Sequence, residues 1–583
     1  MLTRLLVVMA LLGTLGLCSR AETLNLIQRE NRQPGTTAWQ LTNPSDNRQI
    51  EGYASLTSVP NGGRISLFVN TNDATYSVTV YRMGWYGGKG GRKVLGPQVL
   101  PGVRQVTPAP DATGLLECHW TNPFVIQVPM SWLSGVYLAK LHGNDSGKES
   151  YITFAVRDSR PAQIVFQQSV ITYQAYNAWP GPNPFCCGGD SLYNSINGVQ
   201  ISQVSFDRPY GGTAHQEFDT PSMFYSQTVS PLHGIGAGDF LYMYAPTAME
   251  FGMVRWLEHE GYDVTYITDV DTHEDINRLL RGKAFLSVGH DEYWTEQMKS
   301  NVVNARDQGV NLGFFGGNYM YWAVNLNPDS SGTPNRTIAL VDPAKSCTFA
   351  CMGESEQAIV GGMWVGSVPT NGDIVVTSDA LLNHWVLSNT GLKVGDVIPG
   401  LIGIEYNGTF PEFPIPNGLQ TILHTQEPRF DWPSIPAESN PGGFPLPADF
   451  NFDFDGWYDS FVNAGRVLNT TTCDKSPIPP RNTTPPSGWC SNPWPVFPSE
   501  RIDWGMTIYQ ADSGAWVFNA GTNQWSWGLD DYLTGIESAD GANNGPSFRI
   551  QCGYPFFHPG LISCRNSAIE QITRNVLNKF IGR

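Results

Sequence analysis

Apolar and polar residues alternate with a period of two through RISLFVN (64–70) and TYSVTVYRMGWYGG (75–88), and again through GVYLAKLHG (135–143) and SYITFAVRD (150–158). That period puts successive side chains on opposite faces of a strand, and turn residues separate the stretches at sandwich spacing. The pattern over 38–157 predicts an immunoglobulin-like β-sandwich. After DSRPAQ (158–163) the period changes. IVFQQSVITYQAYNAW (164–179) reads as a strand running into a loop, AMEFGMVRWLEHEGYD (248–263) as an amphipathic helix closed by Gly261, and VTYITDVD (264–271) as a strand. Helix HEDINRLLRG, strand AFLSVG, a helix from Thr295 and strand VNLGFFGGN follow. This βαβα order predicts parallel strands, including 163–172, 284–289 and 310–316, in a doubly wound sheet within a larger α/β domain over 160–583. A Pro-rich stretch at 425–500 reads as an insertion in that domain.

One strand end stands out. FLSVGHDEYW (285–294) is apolar up to Gly289 and then presents His290, Asp291 and Glu292. Thr295 is placed to cap the next helix and Gly309 lies just past its end, so the three polar residues sit at the C-terminal edge of a strand, where open α/β sheets bind ligands. His290 and Glu292, two apart, project to one side; Asp291 reads as a residue of the helix start.

Composition sets the surroundings. The 583 residues exceed one small core, and 35 basic against 52 acidic residues, scattered rather than clustered, give a net charge of −17, which disfavours nucleic acid as a partner. Residues 1–21 carry Arg4, an apolar stretch from Leu5 to Leu17 and a small-x-small site at Ser19 and Ala21, the pattern of a secretory signal peptide. No later stretch has the length of a membrane span. A secreted chain agrees with the glycosylation sequons at Asn144, Asn335, Asn407, Asn469 and Asn482. Cysteine spacing suggests the pairs Cys473–Cys490, Cys552–Cys564 and Cys347–Cys351, leaving Cys118, Cys186 and Cys187. NFDFDG (451–456) opens like a calcium loop but has Val462 where the twelfth-position glutamate belongs, so it fits a half-buried strand equally well.

Seven motifs in order, YRMGWYGG (81–88), TYQAYNAW (172–179), GGDSLYN (188–194), FDRPYGG (206–212), GHDEYW (289–294), GFFGGNYMYW (313–322) and GTNQWSWGL (521–529), resemble the N,N-dimethylformamidase large-subunit family. The resemblance implies β-sandwich modules joined to an α/β domain like that of class I glutamine amidotransferases. It implies hydrolysis of a small-molecule amide at a mononuclear ferric ion, Fe(III), held by two tyrosines and a glutamate. Carried over, the glutamate is Glu292 and the tyrosines are Tyr176 and Tyr193, with Tyr173 and Tyr210 as substitutes, because PGPNPFCC (180–187) is inserted between Trp179 and Gly188. His290 and Asn318 match the groups that hold substrate and handle protons. The family's enzymes also use a separate small subunit, which this chain lacks.

The residue types suit that chemistry. Fe(III) is a hard cation, and two phenolates with one carboxylate balance its charge while leaving positions open. No H-E-x-x-H signature favours zinc, and no nucleophile sits in an elbow at this strand end. A different class of protein also fits the sequence: a secreted carbohydrate-binding or carbohydrate-active protein stacking sugars on Trp85, Trp120, Trp179 and Trp294, with Asn318 as a turn residue and GTNQWSWGL as core. Adjacent Asp291 and Glu292 would point to opposite sides of a strand, which argues against a glycosidase pair.

Overall fold

The computed structural model describes residues 24–45, 47–177, 179–180, 191–192, 195–196, 199–211, 240–241, 249–343, 348–350, 352–425, 504–531 and 563–583. The proposed signal segment, NFDFDG and the Pro-rich stretch beyond Thr425 lie outside the described residues.

Eight strands occupy the first part: β1 (Ile50–Ala54), β2 (Ser58–Pro60), β3 (Arg64–Thr71), β4 (Thr75–Met83), β5 (Gly91–Pro101), β6 (Phe124–Gln127), β7 (Gly135–Gly143) and β8 (Glu149–Arg157). They form a five-stranded sheet, β2-β8-β7-β4-β5, and a three-stranded one, β1-β3-β6. The period of two in β3 buries Ile65, Leu67 and Val69, which share a core with Val78 and Val80 of β4 and with Ile152 and Phe154 of β8. The alternation read from sequence is therefore the inward face of two packed sheets.

The second part is built on a seven-stranded sheet. Its members are β9 (Ala162–Gln168), β10 (Val264–Thr268), β11 (Gly282–His290), β12 (Asn311–Gly317), then Gln420–Thr425, Trp504–Gln510 and Trp516–Asn519. From β10 through β9, β11 and β12 to Trp516–Asn519 the strands run parallel; Trp504–Gln510 pairs antiparallel with Trp516–Asn519, and Gln420–Thr425 pairs antiparallel with Trp504–Gln510. Phe285, Leu286 and Val288 of β11 are buried, as a central parallel strand requires. The strands expected at 163–172, 284–289 and 310–316 are neighbours in it and parallel.

Three helical expectations need correction. The first strand stops at Gln168, and Val170–Tyr176 is a helix, α1, rather than strand and loop. Its β-branched start favours strand, but carboxylates from elsewhere take the amides of Ser169 and Ile171, and tertiary contacts override propensity. HEDINRLLRG is helical only in pieces. Thr268 caps an earlier helix (Asp269–Glu274) through a reciprocal bond pair with Asp271, and Ile276–Arg278 is a single 3-10 turn. The helix Met249–His259, α2, is buried at every residue from Met249 to Glu258 instead of being amphipathic, because β11 and the Trp525–Gly528 turn pack on it. By contrast, Thr295 caps Glu296–Asp307 as expected, and Gly309 turns away with φ +96°.

Both parts share a buried ion pair. Arg82 of β4 donates to Glu258 of α2 at 2.7 Å with neither side chain exposed, and Tyr266 donates to the same carboxylate at 2.9 Å. Cys118 is a buried thiol whose pKa burial raises. Cys564 is disulfide-bonded to a partner outside the described residues; each suggested cysteine pair has at least one member there. No helix among the described residues is long and apolar enough to cross a membrane.

Candidate functional site

The site is assembled where β9, β11 and β12 end. Gly289 takes φ +77°, which only glycine adopts freely, and the chain leaves the sheet through His290, Asp291 and Glu292. On the neighbouring strand, Asn318 and Met320 take φ +54° and +53°, unusual for side-chain-bearing residues, so that the next segment folds back onto the first. Met320 N–H donates to Asp291 O, and the amides of Tyr321 and Trp322 donate to Glu292 O at 2.8 and 3.0 Å. Helix α1 starts at the end of β9 and crosses above both. Its Thr172 hydroxyl oxygen accepts from the amides of Glu292 and Tyr293 at 3.1 and 3.3 Å.

These elements bring together four of the five residues singled out from sequence. The Tyr176 hydroxyl donates to Glu292 Oε2 at 2.6 Å. His290 Nε2 lies 3.4 Å from the same oxygen, and Asn318 Nδ2 is 3.2 Å from His290 Nε2. Tyr193 lies outside the described residues. Of the substitutes, the Tyr173 hydroxyl donates to Glu250, and the Tyr210 ring packs edge-on to Tyr173. Among the described residues no three His, Cys, Asp or Glu side chains form a metal cluster; the arrangement present is a carboxylate with a phenol.

Sequence reasoning missed Glu405. It comes from the strand Val397–Gly408, and its Oε2 pairs with His290 Nε2 at 2.7 Å. Trp364 Nε1 donates to its Oε1 at 3.1 Å and Asn523 Nδ2 to its Oε2 at 3.3 Å. Burial alone would raise its pKa, but the His290 charge and bond, with the Asn318 and Asn523 amides, hold it below the ordinary carboxyl value. Nothing in GIEYNG (403–408) marks Glu405, because only the fold brings that strand beneath His290. Asn523 sits in GTNQWSWGL, whose Trp525 and Trp527 are core as read.

Asp291 does not belong to the helix start. Its Oδ2 accepts from Gln167 Nε2 at 2.6 Å and Ser287 Oγ at 2.7 Å, and burial raises its pKa. Asn407, expected to carry a glycan, is fully buried; its Oδ1 accepts the Asn318 amide at 2.8 Å and so fixes the turn. A glycan has no room there. Asn144 is exposed, Asn335 is half-buried, and Asn469 and Asn482 lie outside the described residues. Of the four tryptophans offered for sugar stacking, Trp120, Trp179 and Trp294 are buried and Trp85 is half-buried.

One further motif braces this edge. Arg208 of FDRPYGG is buried and donates to the carbonyls of Gln174, Asn177 and Trp179, so it holds the exit of α1. The parallel-sheet edge of this mixed α/β protein thus carries a half-buried phenol beside buried imidazole, amide and carboxyl groups, at the end of the strands where open α/β sheets bind ligands. The family is known from the sequence as a whole. The N,N-dimethylformamidase beta subunit-like C-terminal family model matches residues 77–540, and the chain belongs to that family. The N,N-dimethylformamidase beta subunit of Paracoccus aminophilus is 25% identical over 230 residues, 36% of this chain and 29% of that protein. The match therefore spans under a third of that relative's length.

Proposed function

We propose that this chain is a secreted amide hydrolase that cleaves the C–N bond of a small or exposed amide. The observation that carries the reading is the convergence of Tyr176 and Glu292 at 2.6 Å beside the His290–Glu405 pair. A carboxylate and a phenol that would ionise on the metal are oxygen donors suited to Fe(III), with Tyr193 as the third, and the buried Asn318 Oδ1 atom is placed to accept a hydrogen bond from substrate or water. When bound, a ferric ion supplies positive charge that polarises the amide carbonyl and acidifies a water.

The protein's own groups do the rest. Glu405 Oε2, 2.7 Å from Nε2, fixes the orientation of the imidazole. The His290 imidazole, through the ring nitrogen that does not face Glu405, accepts a proton as water oxygen bonds to the carbonyl carbon, and returns one to the nitrogen as the C–N bond breaks, so the amine leaves neutral. The Asn318 side chain orients whichever of substrate or water lies against it.

The test is amine release from a panel of formamides and other small amides. His290→Ala is expected to lower kcat by about 10²–10⁴-fold with the fold kept. Glu405→Gln is expected to lower it less and to change the pH profile. Turnover unchanged by His290→Ala would remove the imidazole from the reaction, and failure of every amide would remove the reading.

A further inference from the structure

We propose that Glu250 is a positioning residue that sets the direction of the Tyr176 phenol by holding the start of α1. This rests on the reading of Tyr176 and Glu292 as a metal-binding pair. Glu250 is the second residue of α2 and is buried, yet it makes no contact with that pair. Its Oε1 accepts from Ser169 Oγ at 2.6 Å and from Ser169 N at 3.3 Å, and its Oε2 accepts from the Tyr173 hydroxyl. Ser169 precedes α1 and makes no side-chain cap bond to it, so Glu250 takes up polar groups that would otherwise be left at the helix entry.

Two further ties act on the same two-turn helix. Asp269 Oδ2 accepts the Ile171 amide at 2.8 Å, and Thr172 Oγ1 receives the Glu292 and Tyr293 amides. Residues 169, 171 and 172 are thus each fixed to a different element. Tyr173 and Tyr176 lie three apart, on adjoining turns of one face, so the phenol held by Glu250 sets the rotation of the helix that aims the second phenol at Glu292. A seven-residue helix is not stable alone, and without its ties α1 is free to turn or fray. Burial pushes the Glu250 pKa up to about 8, against the Ser169 and Tyr173 bonds.

The experiment compares Glu250→Ala, Glu250→Gln and a remote core variant, Val78→Ala. Iron is titrated into the metal-free chain and followed by the visible tyrosinate-to-iron absorption, and crystal structures of the metal-free variants are solved. Glu250→Ala is expected to weaken iron binding about 10–100-fold and to move the Tyr176 oxygen out of hydrogen-bond reach of Glu292. Glu250→Gln, which keeps an acceptor for Ser169, is expected to recover part of both. Val78→Ala is expected to lower Tm and change neither. A Glu250→Ala structure that keeps the Tyr176–Glu292 contact overturns the proposal whether or not iron binds. Absence of the absorption from the wild-type chain counts against the metal reading alone, and the crystallographic comparison then decides the role of Glu250.

Discussion

At the scale of single residues, buried carboxyl groups are the feature with the clearest consequences. Glu356 is 1% exposed, and burial pushes its pKa up to about 8 against the pull of the Glu356 and Trp364 backbone amides. The sign follows directly. Below the ordinary value of 4.5 both folded and unfolded chains hold the proton; between there and 8 only the folded chain does, so this group's contribution to stability declines as pH rises through that window. Glu356→Gln removes the titration while keeping the shape. It is expected to raise stability at pH 8 by roughly 1–3 kcal/mol and to change it little at pH 4. Urea denaturation at the two pH values measures this, and an equal effect at both would refute it. Similar logic separates the neighbours at the site. Glu292→Gln removes an anionic oxygen from the Tyr176 contact and should abolish iron binding, whereas Asp291→Asn alters a carboxylate bonded to Gln167 and Ser287 and should act mainly on stability. Equal metal loss in both would contradict the division.

Among the elements, the pairing of β11 with β12 fixes the spacing of His290 and Asn318. A methyl group at Gly316 would lie 1.9 Å from Gly289 O and 2.4 Å from the Tyr319 hydroxyl oxygen, so the strands must separate to admit it. Gly316→Ala is expected to cost more than about 3 kcal/mol. Gly309→Ala, at φ +96° with nothing within 4 Å of the new carbon, should cost only about 1 kcal/mol. Comparable losses would show that the close approach is not real. This scale also shows what the sequence makes legible. The period of two in β3 and the apolar run of β11 are local signals, and His290 and Glu292 could be placed together because two residues along a strand return to one side. α1 was hidden because its amides are held by Glu250 and Asp269, far away in sequence. Glu405 was hidden because it reaches His290 from a strand more than a hundred residues further on. Asn407 was misread because a sequon carries no information about burial.

For the whole molecule, the β module and the α/β part are joined through charge as well as apolar surface. Arg82→Ala would leave the Glu258 carboxylate buried without its cation and is expected to cost about 3–5 kcal/mol in thermal or urea denaturation; a loss below about 1 kcal/mol would show that the pair adds nothing across the junction. Behind the site, α2 carries both Glu258 and Glu250, so one helix ties the β module to α1. The central claim is narrower: that the sheet edge holds a ferric ion between phenol and carboxylate. The most direct measurement is elemental analysis with the visible spectrum of the purified chain, alongside Tyr176→Phe. The account predicts about one iron per chain and a tyrosinate-to-iron absorption that Tyr176→Phe shifts or removes. A colourless wild-type protein that does not take up iron, or a band unchanged in Tyr176→Phe, would contradict it.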